Sequence, residues 1–142
     1  MTIAAIMSGR DGTIWSAAQH ESVGEVVARL AEHRIGALPV VDGDAVVGIF
    51  SERDIVYGVA QHGSAFLAKT VGEVMTAPAI TVTADTQILS ALSLMTKRRI
   101  RHLPVVEHGQ LAGFVSIGDL VKHRIEKIEA EAAAMRDYIR MA

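Results

Sequence analysis

Short apolar runs alternate with turn residues along this chain, and one such arrangement occurs twice. Leu38 to Val41 is a continuous apolar run, followed by the turn residues Asp42-Gly43-Asp44 and by a second apolar run, Ala45 to Phe50. Residues 103–115 repeat this order without a gap, with Glu107-His108-Gly109 at the turn. Apolar runs this short between turn residues are typical of buried strands. Each copy is therefore predicted to form a β-hairpin.

Helical periodicity flanks each hairpin. Ser22 with Glu25 three residues later has the form of a capping box and begins a predicted helix that ends near His33-Arg34. Its counterpart in the second half is predicted to begin at Asp85 or Thr86. Ser51 and Ser116 each open a helix directly after a hairpin, and residues 13–18 and 80–83 are expected to be short extended segments or strands. Each half is therefore predicted to be a β-α-β-β-α unit.

A duplicated unit of this size usually cannot bury its apolar face alone, so the copies should pack on each other. The predicted fold is α/β (α+β), with two pseudo-symmetric repeats packed through their small sheets. The predicted boundaries are 1–64 for the first repeat with a short helical lead-in, 65–123 for the second, and 124–142 for a C-terminal helix extension. Apolar residues of that helix recur at a seven-residue period; they are Val121, Ile125, Ile128, Ala132, Met135 and Ile139. Because the helix runs past the end of the repeat, where its own domain has little left to cover, dimer contacts are favoured over packing on its own domain.

Composition excludes several classes of function. The net charge is −2, which argues against a nucleic-acid surface, and the absence of cysteine removes disulfides and thiolate catalysis. No apolar run approaches the roughly 18 residues that a membrane span needs, and no signal peptide is expected. We therefore expect a cytoplasmic protein without nucleic-acid or membrane partners. Motifs for nucleophilic catalysis, metal binding or a P-loop are missing, so neither an enzyme nor a metal site is predicted.

The residues that the copies share form a second pattern at the end of each hairpin. Residues 48–54 and 113–119 both read Gly, apolar, apolar, Ser, two variable residues and Asp. As a structural feature, this Ser and Asp would cap a helix. As a functional feature, the helix N-terminus and the Ser hydroxyl could bind a phosphate, and the Asp carboxylate could accept hydrogen bonds from a ribose diol. The identical spacing in two diverged copies favours the functional interpretation.

The ordered double set of motifs resembles a tandem CBS-domain protein, that is, a Bateman module. The residues that carry the resemblance are Leu38-Pro39-Val40-Val41-Asp42, Gly48 to Asp54, Val74-Met75-Thr76 with Ile80-Thr81-Val82, Leu103-Pro104-Val105-Val106 and Gly113 to Asp119. The resemblance covers nearly the whole chain. It implies a regulatory module without catalysis that binds AMP, ADP, ATP, NAD(H) or S-adenosylmethionine between its repeats and assembles as a homodimer.

The resemblance further implies two pseudo-symmetric clefts, with Asp on the ribose, Ser on the phosphate and apolar side chains on the adenine. Carried over by position, the first cleft would hold Ile49, Ser51 and Asp54 with Ile80 and Ile100. The second would hold Phe114, Ser116 and Asp119 with Trp15, Ile35 and Gly36.

Positive charge differs between the halves. Arg101 and His102 stand where the first half has Gly36 and Ala37, and Arg53 stands where the second has Gly118. Arg101, His102 and Arg53 are therefore predicted phosphate contacts, and Arg10 is a further candidate. The output would pass through dimer geometry or an unidentified effector protein. The alternative is a structural dimerisation module that binds no ligand.

Overall fold

The hairpins and helices of the two repeats form in the order that the sequence predicts. The computed structural model describes residues 1–141. The helices are α1 (Ile3–Met7), α2 (Val23–His33), α3 (Glu52–His62), α4 (Val71–Val74), α5 (Ile88–Arg98) and α6 (Ile117–Met141), with a 3-10 helix at Gly63–Ala68. The strands are β1 (Ala17–Ala18), β2 (Ala37–Asp42), β3 (Ala45–Ser51), β4 (His102–Glu107) and β5 (Gln110–Ser116).

The hairpins are the central elements of both sheets. β2 and β3 pair antiparallel, and β1 adds to the other edge of β2 in parallel register. β4 and β5 form the matching hairpin, and both hairpins carry a register shift at the corresponding place, after Val40 and after Val105. A backbone hydrogen bond from Leu111 N to Asp44 O, at 2.9 Å, joins the first turn to the second hairpin. The mixed α/β fold with small sheets is confirmed.

Two local predictions in the second half are wrong. Residues 80–83 do not form a strand; Val82 makes an isolated parallel bridge with Val105, donating to Pro104 O and accepting from Val106 N. The N-cap of α5 is Gln87, not Asp85 or Thr86. The Thr86 hydroxyl instead accepts a hydrogen bond from the Thr83 backbone N–H at 3.1 Å, which closes a turn before the helix begins.

Each repeat has its own apolar core, and the short helices are exchanged between them. Ile3 of α1 is fully buried in the core of the second repeat, and Val71 of α4 is fully buried in the core of the first. Ile3 N donates to Thr86 O at 2.9 Å, and Val71 N donates to Glu21 O at 2.9 Å. The N-terminal lead-in, which precedes the first repeat in sequence, thus packs on the second.

The last helix extends past the second repeat with an apolar face in solvent. Val121, Ile125 and Ile128 are 41–49 % exposed, and Met135 and Ile139 are 59 % and 64 % exposed. Most of the predicted seven-residue stripe is therefore uncovered in the single chain. Within residues 1–141, none of the helices combines the length and the apolar character that crossing a bilayer requires.

Candidate functional site

A cleft between the repeats gathers all five residues that the sequence assigns to the first site. Its cavity has a volume of about 350 Å³, and both halves of the chain contribute to its lining. We call it the first cleft. The lining residues are Gly36, Ile49, Ser51, Glu52, Arg53, Asp54, Thr76, Pro78, Ala79, Ile80, Ile100, Arg101 and His102.

Ser51 and Asp54 form a capping box at the N-terminus of α3. Asp54 Oδ2 accepts from Ser51 N at 2.9 Å and from the Ser51 hydroxyl at 3.2 Å, and Ser51 Oγ accepts from Asp54 N at 3.4 Å. The shorter Asp side chain therefore closes the box that usually uses Glu or Gln. Both the capping role and a position on the cavity wall belong to the same two side chains.

Thr76 from the second half holds the other oxygen of this carboxylate. Its hydroxyl donates to Asp54 Oδ1 at 2.9 Å. Its backbone exchanges two hydrogen bonds with Ile49, each at 2.9 Å, so the segment before Pro78 lies along β3 as an extra bridge. Asp54 is thereby fixed from both repeats, and a polar edge of the cleft is built across their boundary.

Cationic side chains lie on the same cavity. Arg53 Nη1 donates to the carbonyl of Arg99 at 3.0 Å, which spans from α3 to the end of α5. Arg101 and His102 enter from the start of β4. Burial lowers the pKa of His102 below its usual value, although Asp119 and Glu52 act in the opposite direction. The lasting positive charge of the first cleft therefore comes from the two arginines.

Apolar side chains form another part of the cavity lining, which we call the apolar wall. Ile49, Ile80 and Ile100 come from β3 and from the segments before β4, and each is partly buried. Three of the lining residues, Thr76, Pro78 and Ala79, were not predicted as site residues, although Thr76 lies in a motif that the sequence singles out. Glu52 was also not predicted; it brings a carboxylate to the cleft, and its backbone N–H donates to Gly36 O at 2.9 Å. A cavity lined by both apolar and charged side chains suits an amphipathic ligand of nucleoside type.

The second motif forms the same cap but has a different partner. Asp119 Oδ2 accepts from Ser116 N at 2.8 Å, and Ser116 Oγ accepts from Asp119 N at 3.1 Å. Arg10 Nη2 lies 2.6 Å from Asp119 Oδ2, and Arg10 Nη1 donates to Phe114 O at 2.6 Å. Burial would raise the pKa of Asp119, but the Ser116 N–H and the Arg10 guanidinium together hold it below its usual value.

The other residues assigned to the second cleft come from both repeats. Gly36 lines the first cleft, and Ile35 packs against the core of the first repeat. Trp15 stacks on His33 with ring centroids 3.5 Å apart. Phe114 stacks on His102, with centroids 5.4 Å apart, so the second motif touches a residue of the first cleft. The assignment of these residues to a second cleft stays a prediction.

The chain is similar to a large group of known proteins. The family model for the CBS domain matches residues 13–60 and 71–126. Two CBS domains in tandem define the class of this protein, and the chain belongs to the CBS-domain family. It is 34% identical over 147 aligned residues to the CBS domain-containing protein CBSX3, mitochondrial, from Arabidopsis thaliana, covering 97% of this chain and 71% of that protein.

Solved structures extend this likeness to the fold. A CBS-domain containing protein from Agrobacterium tumefaciens is 36% identical, with a TM-score of 0.83 over 87% of this chain and 99% of that one. The CBS domain pair of protein MJ0100, in complex with methylthioadenosine and S-adenosyl-L-methionine, is 28% identical over 86% of this chain and 98% of its own, with a TM-score of 0.76. CBSX2 in complex with AMP is 27% identical over 88% and 96%, with a TM-score of 0.75.

An enzyme also appears among the relatives. The inosine-5'-monophosphate dehydrogenase of Mycobacterium tuberculosis is 41% identical over 104 residues, which cover 71% of this chain and 18% of the enzyme. The likeness is therefore confined to a small part of that enzyme.

Proposed function

We propose that this chain is a regulatory module that binds an adenosine-type ligand in the first cleft. One observation carries the proposal: a single cavity joins an apolar wall, a fixed carboxylate and two arginines. In this assignment Asp54 accepts hydrogen bonds from the ribose hydroxyls, and the three isoleucines of the wall contact the adenine. Ser51 and Arg101 contact the phosphate, with Arg53 beside them.

The size of the first cleft narrows the ligand class. Its volume of about 350 Å³ lies at the lower end of small-molecule sites, which span roughly 300–1,000 Å³. A mononucleotide such as AMP, or S-adenosylmethionine, therefore suits it better than NAD(H), while ADP and ATP would extend their outer phosphates toward solvent. The complexes of CBSX2 and MJ0100 with ligands of this type support the choice.

Titration calorimetry of the full chain with AMP and with adenosine tests the proposal. Both ligands carry the ribose but only AMP carries the phosphate, so the comparison separates phosphate contacts from ribose contacts. Arg101→Gln should weaken AMP about 10- to 100-fold and leave adenosine unchanged, because a hydrogen bond to a charged group contributes about 1.5–3 kcal/mol. Asp54→Asn should weaken both ligands. Arg98→Gln is the matched control for charge, since Arg98 does not line the cleft.

A second control concerns the helix cap, because Asp54→Asn also removes a capping interaction. Ser22→Ala removes the cap of α2, whose Oγ accepts from Glu25 N at 3.2 Å, away from the cleft. It should lower stability without changing AMP affinity. If neither wild type nor any variant binds AMP, ATP, NADH or S-adenosylmethionine at millimolar concentration, the proposed function is wrong.

The output of this module would pass through assembly rather than through catalysis. We propose that two copies associate through the exposed apolar stripe of α6, in a homodimer whose geometry responds to ligand or is read by an effector protein. A cytoplasmic location is part of this proposal and rests on the cysteine-free sequence. Light scattering should give twice the chain mass for wild type and the chain mass for Ile128→Glu, with Glu129→Lys on the same helix unchanged.

A structural dimerisation module without ligand binding is the second candidate. The observation that favours it is that both Ser-Asp pairs already serve as helix caps. Under this alternative, Ile128→Glu would still separate the dimer, while no nucleotide would change the melting temperature. A ligand at 100 times its Kd should instead add about 2.7 kcal/mol of stability under the leading proposal.

A further inference from the structure

The two Ser-Asp motifs of this chain are not equivalent, and the difference lies in Arg10. Its guanidinium holds two atoms of the second motif: the carboxylate of Asp119 at 2.6 Å and the backbone carbonyl of Phe114 at 2.6 Å. These are the acid that would take a ribose and the residue whose side chain would contact the base. One side chain of the N-terminal segment thus holds the polar groups that the predicted second cleft would offer to a ligand.

The first cleft has a neutral group at the corresponding place. Asp54 accepts from the Thr76 hydroxyl at 2.9 Å. Of the arginines of that cleft, Arg53 donates to the carbonyl of Arg99, just after α5, and Arg101 lines the cavity. Within residues 1–141, no cation pairs with Asp54 at salt-bridge distance. At Asp54 a ribose hydroxyl would replace the Thr76 hydroxyl, which is a hydrogen-bond donor of the same kind. At Asp119 it would have to replace a charge-assisted hydrogen bond, which is roughly twice as strong as a neutral one.

The backbone before Arg10 is anchored to the second repeat. Ile3 is buried in that core, and α1 donates backbone hydrogen bonds from Ile3 to Thr86 and from Ala4 to Ala84. Arg10 N then donates to Met7 O at 3.1 Å, so the turn after α1 is tied to the helix. The backbone that carries Arg10 is therefore already fixed to the repeat that contains Asp119. The Arg10–Asp119 contact then needs little further loss of backbone conformational entropy.

We infer that Arg10 closes the second cleft to ribose-containing ligands, so that the chain binds one such ligand, in the first cleft. This inference rests on the proposed function and deepens it, because it assigns Arg10 as the residue that makes two similar motifs unequal. Removing the guanidinium frees the Asp119 carboxylate and the carbonyl of Phe114, and the second cleft then becomes a site of the same ligand class.

Titration calorimetry of the full chain with AMP tests this by its stoichiometry. We expect one AMP per chain for wild type and two for Arg10→Gln, with the added site absent in the double variant Arg10→Gln/Asp119→Asn. Arg10→Lys keeps the charge beside Asp119 and should still bind one AMP per chain. Arg29→Gln is the matched control: Arg29 pairs with Glu21 at 2.6 Å, outside both clefts, so it should lose an ion pair and still bind one AMP.

The outcomes distinguish this inference from the function on which it rests. Two equal sites in wild type, or one site in both wild type and Arg10→Gln, would overturn the role of Arg10 and leave the first cleft as a binding site. No binding in wild type but one site in Arg10→Gln would support the closure by Arg10 and refute binding in the first cleft. No binding in either protein would overturn both.

Discussion

Gly48 and Gly113 occupy equivalent places in the two hairpins, yet they should respond differently to substitution by alanine. A Cβ on Gly48 would lie 2.6 Å from Met75 Sδ and 2.8 Å from the backbone oxygen of Thr76. A Cβ on Gly113 would lie 3.0 Å from Met7 Cε, which is the end of a flexible side chain. At Gly48 one of the clashing atoms is the backbone oxygen of Thr76. Because the Thr76 backbone is hydrogen-bonded to Ile49 of β3, this atom cannot move away unless the whole segment around Thr76 moves.

The magnitudes follow from these contacts. Replacing glycine by alanine gains about 0.4–1 kcal/mol where the backbone conformation suits both residues, because the unfolded chain loses freedom. Overpacking in a closely packed interior costs about 1–3 kcal/mol. Gly48→Ala should therefore lose about 1–2 kcal/mol net. For Gly113→Ala the Met7 methyl can rotate away, and stability should stay within about 0.5 kcal/mol of wild type.

Urea denaturation followed by circular dichroism measures both variants, and thermal melts should show a loss of about 2–4 °C per kcal/mol. Gly48→Ala should also weaken AMP in the first cleft, since it displaces the Thr76 backbone whose hydroxyl bonds Asp54. Gly113→Ala should leave that affinity unchanged. Equal stability of the two variants, or a more stable Gly48→Ala protein, would refute the reasoning from these contacts.

Three further predictions concern titration and packing. Burial lowers the pKa of His102, so the wild-type free energy of unfolding is highest above the unfolded pKa near 6.5 and falls as the pH drops below it. In His102→Gln the free energy of unfolding, measured with urea, should change less between about pH 7 and 5. Asp119 also has a lowered pKa, so its contribution is present above about pH 4 and lost in stronger acid; Asp119→Asn should lower stability at pH 7 and remove that acid-dependent loss. Phe66→Ala should cost about 3–5 kcal/mol in urea, because Phe66 is 3% exposed and fills the core above Gly58.

Local patterns predicted the hairpins and the helices that follow them. The turn at His108-Gly109 needs positive φ at both residues and the sequence supplies a glycine there, and Ser51 and Ser116 stand at the helix starts that their capping chemistry favours. The extended segment at 80–83 did not become a strand because its pairing with β4 is limited to Val82. Short-range signals could not reveal that limit, which depends on the neighbouring strand.

Pairings between distant segments were beyond the sequence patterns. Arg10 meets Asp119 only because α1 packs on the second repeat, and nothing in residues 1–12 indicates which core receives them. Thr76 reaches Asp54 by the same exchange in the opposite direction. Both contacts determine the partner of a motif carboxylate, and both follow from tertiary packing rather than from periodicity.

The exchange of α1 and α4 has a consequence for how the chain is made and folded. During synthesis α1 leaves the ribosome before the second repeat, yet the core that buries Ile3 begins at Val82 and is completed at Leu120. The first repeat likewise waits for Val71, which lies beyond its own last helix. Such non-local closure slows folding, because the entropy of the long loop is lost before the contacts form. If the chain were cut between the repeats, each fragment would lack the short helix that completes its own core. The two repeats should therefore fold as one cooperative unit and should not be stable as independent halves.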